Sequence, residues 1–172
     1  MCLLIRFVDT ITQYADAKGW TKPDDAIQAA ADFIDNRDGD VSIYRIENQA
    51  SLPRVAAALS LSHRERLQAR RYVTVPEREF LKATDLVLDD TQLGRTPDVL
   101  VNVWHRNIKR PTKTQSLLCA FAFGRSGNAG NFSLPSIQSY VKACISAGHS
   151  DLNLVSPEMR SWLCRRNLLG QV

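Results

Sequence analysis

Ser116-Leu117-Leu118-Cys119-Ala120-Phe121-Ala122-Phe123 carries seven consecutive apolar residues between a polar run and a glycine-rich stretch. An apolar run of this length with no polar interruption reads as a strand buried on both faces. Under period-two alternation Leu117, Cys119, Phe121 and Phe123 share one, mostly large, face, and Leu118, Ala120 and Ala122 share the other, mostly small, where a helix can approach closely. The expectation is an α+β protein: a small mixed sheet with this buried central strand, about 116–123, packed by helices.

Working outward, Gly124 to Asn131 reads as a loop, and Ser133 opens a helix to about Ala147 whose inward stripe is Ile137, Tyr140, Val141 and Cys144. A last helix starts at Ser156-Pro157-Glu158, with Met159, Trp162 and Leu163 inside and Arg160, Arg165 and Arg166 outside. Upstream, Val99, Val101 and Val103 alternate as in a strand, but Thr96-Pro97-Asp98 has the form of a helix start and Leu100, Trp104 and Ile108 fit a helix at four-residue spacing, which favours the helix. Leu86-Val87-Leu88, Tyr72 to Val75 ending at Pro76, and Val41 to Ile46 read as strands. Ser51 or Leu52-Pro53 starts a helix through Leu59, and Glu77 to Lys82 reads as a short helical turn. At the N-terminus Leu3, Leu4, Phe7, Ile11 and Tyr14 follow helical spacing, and Thr21-Lys22-Pro23 caps a second helix, giving an acidic helical hairpin over 1–36. The chain is thus read as one domain over 1–172: the hairpin, then a mixed body over 40–172 with a basic C-terminal half.

Charge is unevenly spread. Residues 1–50 hold five Lys/Arg and nine Asp/Glu, residues 51–98 hold eight and seven, and residues 99–172 hold nine and two. From Val99 to Ser150 there is no acidic residue. Arg106, Lys109, Arg110, Lys113, Arg125 and Lys142 stand alone there, a distribution that bears on anionic partners rather than on fold.

Four scattered cysteines, Cys2, Cys119, Cys144 and Cys164, show no CxxC spacing, so free thiols in the cytoplasm are expected. The three histidines have no metal-ligand spacing, and no phosphate-loop or dinucleotide fingerprint occurs, so no metal and no cofactor is expected. The start lacks a signal-peptide pattern, no apolar run has membrane-spanning length, and no membrane partner is expected.

Val55 to Ser62 followed by His63-Arg64-Glu65-Arg66 resembles the helix-turn-helix of bacterial DNA-binding regulators. Ser62-x-x-Glu65 has the form of a capping box for a second helix, Arg64 to about Arg71. Ser60 departs from that family's turn glycine. The resemblance implies that Arg64 faces the major groove and that Arg70 and Arg71 face phosphates. Trp104-His105-Arg106 with Lys109 and Arg110 pairs an aromatic with cations, as single-strand binders do. The spaced glycines of 124–131 would suit a phosphate nest including Arg125.

The function expected from these features is non-enzymatic. A basic face made from Arg64, Arg66, Arg70, Arg71, Trp104, His105, Arg106, Lys109, Arg110 and Arg125 contacts nucleic acid or a nucleoprotein complex. One alternative is a protein-interaction adaptor with opposite acidic and basic faces. Another is an enzyme acting on phosphodiesters or nucleotides with His105 as general base; no catalytic residue is otherwise assigned.

Overall fold

The computed structural model describes residues 2–8, 39–63, 65–91, 94–126 and 128–169. The fold is α+β: a five-stranded antiparallel sheet packed with helices. In chain order the elements are β1 (Leu3–Val8), β2 (Val41–Ile46), α1 (Leu52–Leu61), β3 (Arg70–Pro76), α2 (Glu77–Thr84), α3 (Val99–Trp104), β4 (His105–Ile108), α4 (Lys113–Ser126), β5 (Asn128–Phe132), α5 (Leu134–Ser146) and α6 (Pro157–Arg165). The sheet order is β4-β2-β1-β3-β5. The chain divides into two compact units. A sheet unit comprises Met1–Asn48, Arg71–Gln92 and His105–Gly130, and a helical unit comprises Gln49–Arg70, Leu93–Trp104 and Asn131–Val172.

The stretch 116–123 is not the central strand. It lies inside α4, and the strand at the middle of the sheet is β1. Ser116, Cys119, Ala120 and Phe123 are buried at i, i+3, i+4 and i+7, whereas Leu117, Leu118 and Phe121 are about 40% exposed. An unbroken apolar run satisfies period 2 and period 3.6 alike, so the start signal decides. That signal is Thr112-x-x-Gln115. The Gln115 N–H donates to Thr112 Oγ1 at 3.2 Å, and the Thr112 N–H donates to Gln115 Oε1 at 2.8 Å, a reciprocal capping box.

β1 replaces the first helix expected over 1–36; the rest of that hairpin lies outside the described residues. Leu4 and Ile5, on opposite faces, are both fully buried, which is why this strand carries no clean alternation. Register pairs Ile5 with Tyr44 on one side and Thr74 on the other. One face of the sheet unit is therefore built from Leu4, Val41, Ile43, Val73, Val75 and Ile108, which form a core with Phe80 of α2 and Cys119, Ala120, Ala122 and Phe123 of α4. The Phe80 and Phe123 rings meet at 5.5 Å. The expected strands at 41–46 and 72–75 and the helix at 77–82 are all present. Leu86-Val87-Leu88 is not a strand. Only a single bridge, Asp89 to Asn107, follows it. Nor is 124–131 a loop, because Asn128–Phe132 is β5. At Gly130 a Cβ would fall 2.5 Å from the Tyr72 hydroxyl, so a larger residue there would force that ring to shift.

In the helical unit α1 packs along α5. The helices expected near 51–59, from 133 and from 156 are present, with Ser133 and Ser156 accepting the N–H of Ser136 and Met159 as N-caps. α3 begins where Thr96-Pro97-Asp98 indicated but ends at Trp104, and Ile108 belongs to β4. The second helix of the helix-turn-helix does not form: residues 65–69 are non-helical. Ser62 ends α1 in an αR conformation, and its hydroxyl donates to the Ala58 carbonyl at 3.0 Å, so it serves the C-terminus of one helix rather than the start of another.

Candidate functional site

The residues expected to form one basic face fall into both units. Arg64 lies outside the described residues, and Arg125 falls in the last turn of α4.

In the sheet unit, β4 and the turn after it carry His105, Arg106, Lys109 and Arg110. His105 is buried, and its ring meets Tyr44 edge-on at 5.4 Å. Arg106 donates from one terminal nitrogen to the His105 carbonyl at 2.6 Å. Lys109 Nζ sits 2.9 Å from Asp89 Oδ2. The hydrogen bond from Lys109, together with Thr91, holds the Asp89 carboxyl down to about 2. Arg110 takes a left-handed conformation (φ 38°), and its N–H donates to Asp40 Oδ1 at 3.1 Å. Arg71 is exposed on β3, opposite Val8. The tract that lacks acids along the chain thus acquires them in space, from Asp40 and Asp89. Glu77 of α2 in turn binds Arg45 of β2 at 2.7 Å.

The helical unit is different. It holds nine Lys/Arg and four Asp/Glu. Its one described ion pair is internal: Arg54 clasps Asp98 at 2.6 and 2.9 Å, and Asp98 also accepts the N–H groups of Leu100 and Val101 at the start of α3. The Arg54 guanidinium lies 6.0 Å from the Trp104 ring centroid, so Trp104 is a packing partner at the end of α3. Arg70 caps the end of α1, donating to the Leu59 carbonyl at 3.2 Å and to Ser60 Oγ at 3.3 Å. Burial, with Arg70 nearby, pushes the His63 imidazole below its ordinary pKa.

Arg66, Arg95, Lys142, Arg160, Arg165 and Arg166 remain exposed, and none forms an ion pair among the described residues. On α6, Arg165 donates to Ser161 Oγ at 2.8 Å, and the Arg166 guanidinium sits 5.6 Å from the Trp162 ring centroid. Arg160, Arg165 and Arg166 were legible as the outer face of a helix, yet their concentration in one unit is a property of how the chain divides. Among the described residues no group of three or more His, Cys, Asp or Glu side chains could hold a metal ion. No described helix is long and apolar enough to cross a membrane.

No protein-family model, curated protein or solved structure matches this chain.

Proposed function

We propose that the protein binds an anionic polymer, nucleic acid or a nucleoprotein complex, through the helical unit, with α6 and the residue that caps its end supplying Arg160, Arg165 and Arg166. The observation that carries this reading is the set of six exposed cations in that unit without an ion-pair partner among the described residues. Exposed arginines of this kind release counterions from phosphates and give salt-dependent, weakly sequence-specific binding. Trp162 under Arg166 adds a ring at the same helix for base or sugar contact. Lys109, paired with Asp89, and Arg110, whose backbone N–H meets Asp40, are secondary in this reading. Four free cysteines, two of them buried, support placing the protein in the cytoplasm.

The test is a titration of the full chain with random single- and double-stranded oligonucleotides across a salt series. Replacing Arg160, Arg165 and Arg166 together by alanine is expected to weaken binding about ten-fold or more and to lower the log–log salt slope by roughly two to three. Replacing Lys109 and Arg110 should change little. No affinity for either oligonucleotide at low salt overturns the proposal and favours an adaptor that meets an acidic protein surface.

A further inference from the structure

Charge is unevenly placed along α6. The first turn holds Pro157 and Glu158 behind the Ser156 cap, and Arg160, Arg165 and the capping residue Arg166 come after it. At 1.5 Å per residue these three arginines span about 9 Å of helix axis, the reach of roughly two or three phosphates on one strand. Groove-reading helices meet base edges with their N-terminal residues. Here that end carries a carboxylate, and the cations stand further along.

Around the helix, buried Met159 and Leu163 mark the inward side. Helical spacing puts Trp162 at one border of that side and Arg160 at the other, with Ser161, Cys164 and Arg165 on the exposed arc between them. Trp162 is half-buried, so part of its ring reaches the surface, and the Arg166 guanidinium lies over that ring, 5.6 Å from its centroid. Among the described residues no carboxylate neutralises these arginines. The Arg160 side chain makes no hydrogen bond there either, and Arg165 gives one N–H to the neutral hydroxyl of Ser161.

The ring bears on which form of nucleic acid fits. Phosphate contacts serve duplex and single strand alike. Paired bases are stacked on one another with their faces out of reach, whereas an unpaired base can lay its face on an aromatic ring or a guanidinium plane. Trp162 with Arg166 offers both surfaces.

We propose that α6 takes single-stranded nucleic acid in preference to duplex. An unpaired base stacks against the Trp162–Arg166 pair, and Arg160 and Arg165 hold neighbouring phosphates. This rests on the nucleic-acid reading above and names the substrate class of the same site.

The experiment uses the full chain and the fluorescence anisotropy of labelled probes at low salt: a mixed-sequence single strand, its annealed duplex, and an abasic strand of the same length. The single strand is expected to bind about ten-fold more tightly than the other two. Unpaired deoxy- and ribostrands share this chemistry, and running both shows which is preferred. Trp162→Leu should erase the preference while leaving the abasic strand unchanged, and Trp162→Phe, which keeps a ring, should retain most of it. Replacing Arg160, Arg165 and Arg166 should weaken all probes together. The comparison of probes needs only the unaltered chain, so it decides the matter even if Trp162→Leu fails to fold. Equal binding of single strand, duplex and abasic strand overturns this proposal and leaves the charge-based reading standing. No binding of any probe overturns both.

Discussion

The sheet unit and the helical unit differ in how their described ion pairs are built. In the first, Arg45, Lys109 and the backbone of Arg110 each meet a carboxylate brought from a distant part of the chain. In the second, the single described ion pair fixes the start of α3, and the outer cations are left to solvent. Sequence bookkeeping places the positive charge in the C-terminal third. Folding redistributes it, because residues 105–130 return to the sheet beside Asp40, Glu77 and Asp89 while residues 131–172 join the helical unit. A run without acids is therefore not the same thing as a basic surface.

The contrast can be broken at four places. The largest effect is expected in the sheet core: Phe123→Ala removes half of the Phe80–Phe123 contact and should cost about 3–5 kcal/mol, read from the urea midpoint. Next is Arg54→Ala, which strands Asp98, 1% exposed, beside α3. A loss of about 3 kcal/mol is expected, and Arg54→Lys should restore only part of it because the bidentate clasp is lost. If Arg54→Ala proves neutral, the ion pair does not organise the helical unit.

A smaller effect, about 1 kcal/mol, is expected for Gln115→Ala, which opens one arm of the capping box at α4. Its value is diagnostic, because a neutral outcome would mean that sheet packing alone selects the helix. The subtlest concerns Asp89. Its folded pKa is depressed to about 2, below the unfolded value of about 3.9, so its stabilising contribution is present above the unfolded value and is lost as pH falls toward the folded one. Carboxyl-carbon NMR should show Asp89 titrating near 2. Lys109→Met should move that midpoint upward, and an unmoved midpoint would remove Lys109 as its main cause.

How much of this was legible beforehand depends on the element. Strands β2 and β3 and helices α1, α5 and α6 follow from β-branched content, turn residues and serine caps, which are local signals. The two apolar runs at residues 3–8 and 116–123 are the places where pattern and structure part: helical spacing precedes a strand at the first, and strand-like apolarity lies in a helix at the second. Leu3–Val8 alternates poorly because both its faces are buried, and 116–123 is apolar on both the buried and the half-exposed side of its helix. Hydrophobicity cannot separate such cases; the caps can. Thr112-x-x-Gln115 is a working capping box, whereas Ser62-x-x-Glu65 has the form without the function, its serine being used by the preceding helix. The candidate site was less legible still. Exposure of arginines on α6 was readable from its stripe, but the carboxylates that meet Lys109 and Arg110 come from 20 and 70 positions upstream, and no local pattern records that.

The Asp89–Asn107 clip has one more consequence. β4 is an outermost strand, and an outermost strand offers its free N–H and C=O groups to any other extended chain. The clip occupies the outward groups of Asn107, and the Arg106 side chain covers the His105 carbonyl. These few contacts shield the border of the sheet against edge-to-edge growth into filaments, so a chain that lost them should become prone to clumping while its interior packing stayed intact.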